Sequence, residues 1–185
     1  MSVLRGFVVS LVLAGVGVGA AARDVRVALG ARGAIVLSVP DNWRESIEQA
    51  NPNVPPTVTF TPAEGRGFQV LITPIWPGVP NAPTISPGAL REQVRHASDA
   101  AQPQAVEREL TVVDFSGPSG FGAYFSATDR APEPDGYKYL TQGMVAATDL
   151  RVTFTVLVNG NPAPVVQQAL TALRTMKREP AKTAN

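Results

Sequence analysis

The stretch Asp149–Met176, DLRVTFTVLVNGNPAPVVQQALTALRTM, changes its apolar period halfway along. Leu150, Val152, Phe154, Val156 and Val158 alternate with Arg151, Thr153, Thr155 and, past Leu157, Asn159. A period of two predicts a strand with one apolar face. After a short turn, Val166, Ala169, Leu170, Leu173 and Met176 fall on one helical stripe, wide enough to lie on a sheet. Strand, loop and covering helix follow one another in about thirty residues, so a layered domain of sheet and helix is expected.

Working outward, the chain of 185 residues is 44% hydrophobic and 17% charged, the composition of a single ordinary globular domain. Its first residues read differently. Arg5 precedes an uncharged apolar run from Gly6 to Val18, and Ala20, Ala21 and Ala22 supply small residues before Arg23 and Asp24. This pattern predicts a secretory signal peptide over residues 1–22, followed by one domain over 23–178 and a disordered tail over 179–185. An uncleaved anchor is the competing reading, but Gly6–Ala22 is only 17 residues and rich in glycine, near the short limit for a membrane span. The expected location is therefore periplasmic or secreted.

Removing the leader takes Arg5 from the 16 basic residues, which leaves 15 against 15 acidic ones and a formal charge of zero. A neutral chain with scattered basic residues lacks the footprint of a nucleic-acid binder or of a protein drawn to anionic membranes. The absence of cysteine rules out disulfides, thiolate metal sites, thiol nucleophiles and a lipidated cysteine after the leader.

Between leader and closing unit, Val25, Val27 and Leu29, then AIVLSVP ending at Pro40, predict one or two strands. Pro40–Trp43 reads as a turn, with Trp43 packing back over an edge of the core. Arg44–Asn53 is expected to be a helical turn or a loop, limited by Pro52, Pro55 and Pro56. Thr57–Thr61 and Phe68–Trp76 predict a hairpin. Phe68, Val70 and Ile72 on one face and Leu71 and Ile75 on the other suggest a central strand buried on both sides, although Pro74 favours an edge. Pro77–Ile85 reads as a stiff crossover or a functional loop. Ser86 and Pro87 open a helix with an inner stripe of Leu90, Val94, Ala97 and Ala101, stopped by Pro103. Its outer face carries Arg91, Glu92, Arg95 and Asp99 in solvated charge spacing. Strands are expected over Leu110–Ser116, Phe121–Thr128 and Tyr137–Ala146, with short connections that argue a mostly antiparallel sheet.

Candidates for chemistry are few. His96 is the only histidine, with no second ligand or nucleophile patterned around it. GPSGFG at Gly117–Gly122 joins two strands, and its spacing matches neither a dinucleotide fingerprint nor a nucleophile elbow. Asp129, Glu133 and Asp135 offer carboxylates without the alternation of a Ca²⁺ loop, and as an acid and base pair they crowd one proline-containing loop. No metal, cofactor or catalytic residue is expected. Trp76, Tyr124, Tyr137 and Tyr139 are candidates to line an apolar pocket, with Tyr137 and Tyr139 on one strand face. Cross-strand packing is the plainer role for such aromatics.

The order of VPDNW after the first strands, PPTVTF, GFQVLITPIW, a central amphipathic helix, GFGAYFSATD, YKYLTQG and LRVTFTVLVNG before a last helix resembles the PsbP-like family. The resemblance implies an α+β fold, an α/β/α sandwich with a central, mostly antiparallel sheet flanked by helices. Better-known members of that family are binding proteins: a lumenal subunit assisting photosystem II, a Ran-binding nuclear-transport factor and bacterial adaptors. The resemblance carries no functional residue onto this chain. It implies a binding module, and together with the leader and the missing catalytic constellation this leads to an exported, non-enzymatic domain that binds an envelope protein, with the Trp76–Ile85 loop and the Arg91–Asp99 outer face, Arg91 and Arg95 among it, as contact candidates. A periplasmic small-molecule or cation binder using the aromatic residues is the alternative.

Overall fold

A computed structural model describes residues 21–51, 53–76, 84–147 and 149–181. The expected signal segment, the proline-rich crossover and the last four residues lie wholly or mostly outside that range. Among the described residues, ten strands, β1 (Ala22–Ala28), β2 (Ala34–Pro40), β3 (Trp43–Glu48), β4 (Thr57–Pro62), β5 (Phe68–Ile75), β6 (Val113–Gly117), β7 (Gly120–Thr128), β8 (Tyr139–Ala147), β9 (Leu150–Val158) and β10 (Lys177–Glu179), join two α-helices, α1 (Pro87–Ala101) and α2 (Pro162–Arg174). Every described strand pairing is antiparallel. The chain is an α+β protein with two sheets: a large one in the order β3-β4-β5-β9-β8-β7-β6, and a small one in the order β1-β2-β10.

The Leu150–Val158 strand sits near the middle of the large sheet, between β5 and β8. Its alternating residues Val152, Phe154, Val156 and Val158 are buried in the larger of two hydrophobic clusters. That cluster is closed by the inner residues of β1 and β2, by Trp43, and by Ala169, Leu170, Ala172 and Leu173 of α2. The second cluster lies on the opposite face of β7 and β8. It gathers Ala123, Phe125, Ala127 and Ala146 under Leu90 and Val94 of α1. The two helices thus lie on opposite faces of the large sheet, because successive strand residues point to opposite sides. Helices alone do not make the outer layers, since the small sheet shares one face with α2.

Both helix starts form as their sequences dictate. The Ser86 hydroxyl accepts from the Ala89 amide at 3.2 Å and the Asn161 side chain from the Ala163 amide at 3.1 Å, each with proline in the first turn. On α1 the buried stripe is Leu90, Val94 and Ser98, while Ala97 and Ala101 are half-buried. Burial of Ser98 is tolerated because its hydroxyl donates to the Arg95 carbonyl at 2.8 Å.

Several expectations are corrected. Arg44–Glu48 is neither helical turn nor loop but part of the edge strand β3, paired with β4 from Trp43↔Pro62 to Glu48↔Thr57. Its five residues after Trp43 are exposed, so no apolar alternation announced a strand whose register is held by backbone bonds and one buried indole. Trp43 itself packs on Phe60 and Phe68, with ring centroids 5.8 and 5.1 Å away. The β5 strand is central yet covered on one face only: Leu71 and Ile75 remain half-exposed. Pro74 is accommodated because it pairs with Val152 on one side and lies beyond the reach of β4, whose register ends near Val58↔Ile72. The strand expected from Leu110 begins at Val113, since the Leu110 amide is bonded to the Gln102 side chain at 2.9 Å. The strand expected from Tyr137 begins at Tyr139, so the two tyrosines do not share a strand face. Glu179, assigned to a disordered tail, is the last residue of β10 and pairs with Ala34. At the other end, β1 begins at Ala22, inside the expected leader.

Candidate functional site

The GPSGFG turn is the joint between α2 and the large sheet. Ser119 donates from its amide to the Arg174 carbonyl at 3.0 Å and from its hydroxyl to the Leu173 carbonyl at 2.7 Å. Two of the carbonyls left without partners at the end of α2 are thereby satisfied. Gly117 lies so close to this helix end that a Cβ would stand 2.7 Å from the Arg174 oxygen. The turn therefore has a complete structural role in its own glycines and serine.

On the other side of β6 and β7 lies a cleft of about 400 Å³. Pro87, Gly88, Leu90 and Arg91 form one wall, and Asp114–Ser116 with Phe121 and Gly122 form the other. Its lining is mostly apolar, with Ser116 and one ion pair as the polar side chains. The Arg91 guanidinium reaches Asp114 at 2.6 Å and donates to the Val112 carbonyl at 3.0 Å, tying the first turns of α1 to the edge strand. More than a third of each side chain stays exposed, so a partner group in the cleft meets both charges. Of the residues singled out on α1, Arg91 is in this wall, whereas Arg95 is outside it and pairs with Glu92 one turn away. His96 is exposed on the same helix.

The four candidate aromatics are not gathered into one pocket. Trp76 follows β5 at the end paired with Arg151, whereas Tyr139 pairs with Val158 at the opposite end. Eight residues of strand separate the two positions, about 25 Å at the usual rise. Trp76 is half-buried against the larger core, with the Arg32 guanidinium 5.1 Å from its ring centre. Tyr124 packs at 5.9 Å on Phe115, and Phe115 at 6.2 Å on Phe154. Lys138 stands 5.4 Å from the centre of the Tyr139 ring, and Tyr137 is in the preceding loop. These are cation and ring contacts of separate core margins.

The acidic residues serve the fold locally. Asp129 accepts from the Ala131 amide at 2.9 Å, and the Glu133 carbonyl accepts from Gly136 at 2.9 Å. Among the described residues no three of His, Asp and Glu approach closely enough to hold a metal ion. Three carboxylates titrate below their ordinary range. For Asp149 the Arg178 side chain is the main cause, through a two-pronged pair at 2.9 and 3.1 Å. For Glu45 the cause is Arg23. Burial works to raise Glu107, but hydrogen bonds from the Thr128 amide and hydroxyl outweigh it. Each pairing fastens one segment to another, and none faces the cleft.

Sequence reasoning reached Arg91 but not Asp114, Ser116 or Phe121. The cleft joins the start of α1 to the β6–β7 hairpin, and no spacing rule links the helix to the hairpin.

No protein-family model matches the sequence, and no curated protein does. Among solved structures, the solution structure of cyanobacterial PsbP, CyanoP, from Synechocystis sp. PCC 6803 is similar, with a TM-score of 0.54 and 12% identity. The match covers 88% of this chain and 96% of that one. At this identity the likeness is one of fold: the chain has a PsbP-like fold.

Proposed function

We propose that the protein is an exported, non-catalytic accessory domain of the bacterial envelope that binds another protein through the cleft between α1 and β6–β7. The observation that carries this reading is the extent of the fold likeness to the PsbP-like neighbour, 96% of that chain and 88% of this one. The cleft supports it chemically. An apolar floor of Leu90 and Phe121 beside a half-exposed Arg91–Asp114 pair suits a protruding side chain and the polar backbone next to it. The aromatic small-molecule reading has no comparable support, because its residues stand apart.

A photo-crosslinking residue in place of Phe121 tests the proposal in cells producing the tagged protein. One dominant crosslinked envelope protein is expected, and its yield falls at least fivefold when Arg91→Glu is added. Crosslinking unaffected by Arg91→Glu, or equal crosslinking from a probe at exposed Ile47 on the far edge strand, speaks against the cleft.

A further inference from the structure

The small sheet ends on an open edge. In the order β1-β2-β10, β1 has a neighbour on one side only. The Ala21 carbonyl accepts from the Asp41 amide at 2.9 Å, and the Leu29 amide donates to the Gly33 carbonyl at 2.8 Å, both continuing the β1–β2 register. Backbone groups alternate sides along an antiparallel strand, so the odd-numbered residues bond to β2, whereas Ala22, Asp24, Arg26 and Ala28 turn their amides and carbonyls outward. Among the described residues none of those outward groups has a hydrogen-bond partner. The side chains of the same four residues are exposed, while Val25 and Val27 point into the larger core.

An edge of this kind invites a further strand, and charge is the usual guard against it. On β1 the charges select a partner instead. Two copies of β1 related by a two-fold axis can be centred on Asp24, on Val25 or on Arg26 and still engage most of the outward groups. The first sets Asp24 against Asp24 and the last Arg26 against Arg26, and like charges directly opposite are destabilising. Centring on Val25 sets Asp24 of each copy against Arg26 of the other and Ala22 against Ala28, with no like-charged pair. Among the described residues Asp24 forms no ion pair within its own chain, and the pair of Arg26 with Glu179 leaves both side chains exposed.

We propose that the protein self-associates through β1, as a two-fold dimer in which the two small sheets join into one continuous antiparallel sheet centred on Val25. Each Asp24 exchanges backbone bonds with Arg26 of the second copy, and the two side chains meet on the exposed face as an ion pair. The interface is isologous, the same strand serving both sides, as a closed dimer requires. The small sheet and α1 lie on opposite faces of the large sheet, so the cleft beside α1 stays open in both copies. The inference depends neither on export nor on what the cleft binds.

The chain has no cysteine, so a single introduced one reads the interface directly. In the Val25-centred register residue 25 stands opposite itself in a non-hydrogen-bonded pair, with about 4.5 Å between Cα atoms, within disulfide reach. Full-length Val25→Cys in mild detergent, oxidised with copper–phenanthroline, is expected to run mainly as a disulfide dimer without reductant. Ile47→Cys, on the exposed edge strand β3, is the control for random collision and gives at least fivefold less dimer. Adding Asp24→Arg or Arg26→Asp to Val25→Cys lowers the yield at least fivefold, and combining the two, which restores opposite charges across the axis, brings it back. If Arg26 acted only through Glu179 of its own chain, the combined exchange would stay as low as Arg26→Asp. Sedimentation of the cysteine-free chain decides the matter even where Val25→Cys fails to fold: the wild type forms a dimer at concentrations where Asp24→Arg is a monomer. Equal crosslinking from Ile47→Cys, a combined exchange that does not recover, or a wild type that sediments as a monomer up to its solubility limit overturns the proposal.

Discussion

One face of the seven-stranded sheet is sealed by the small sheet and α2, whereas the other is covered over β7 and β8 by α1 and left half-exposed over β4, β5 and β9. The sealed face holds Phe60, Phe154, Val156 and the inner residues of β2, nearly all without solvent contact. The open face carries Thr57, Thr59, Thr73, Thr153 and Thr155, with Thr57 and Thr73 sharing a hydrogen bond at 2.9 Å between their hydroxyls. Threonine suits such a surface because its β-branch favours a strand while its hydroxyl tolerates water. The difference divides the labour: stability is concentrated on one face, and the candidate contact surface lies where α1 meets the edge of the other.

The contrast predicts a gradient of mutational cost. Phe154→Ala, at the centre of the sealed face, should lower the unfolding free energy by about 3–5 kcal/mol in urea titration, from lost burial and a cavity. Leu90→Ala, under α1, should cost about 2–3 kcal/mol, the lower end for leucine, because the cluster around it is smaller. A larger loss there than for Phe154→Ala would reverse the assignment of the main core. Gly143→Ala comes next in the gradient. Its Cβ would stand 2.6 Å from that of Tyr124 and 2.7 Å from the Phe154 ring, so overpacking of about 1–3 kcal/mol is expected.

Acidification should act more weakly, and through the clamps rather than the cores. Asp149, Glu45 and Glu107 have folded-state pKa values below their ordinary ones, so the unfolded chain binds more protons as pH falls. Their contribution is fully present above the ordinary carboxylate range and is lost as pH drops through the lower folded values. Because Asp149 is half-exposed, its share is no more than about 1 kcal/mol after solvent screening. Thermal unfolding of the wild type and Arg178→Ala between pH 3 and 7 should show the variant with a shallower acid loss. At the bottom of the scale, Thr155→Val on the open face should change stability by less than about 0.5 kcal/mol; a larger loss would show that face to be covered.

The legible parts of this protein were those set by neighbours in sequence. The period change within Asp149–Met176 specified a strand and its covering helix; the strand has those residues inside, and the helix buries Ala169, Leu170 and Leu173 with Ala172 but ends at Arg174, short of Met176. Ser86 with Pro87 and the short turns between later strands likewise gave the start of α1 and the antiparallel character of the sheet. Two features were opaque for the same reason: they arise from contacts between distant residues. The β3 strand has only Trp43 buried, so its pairing with β4 left no pattern in RESIE. The short strand β10 exists because Lys177–Glu179 finds β2, more than 130 residues earlier, and is held there by the Arg178–Asp149 pair.

The sequence by itself determined local conformation, the apolar faces and the near-neutral charge of +1 and cysteine-free character of the chain, since these follow from side-chain period, capping and charge count. Only the tertiary structure decided that β9 lies between β5 and β8, that a second small sheet seals one face, and that Arg91 meets Asp114 across a cleft. Those outcomes depend on which distant surfaces exclude water together, and burial of that kind carries no signal at any fixed spacing along the chain.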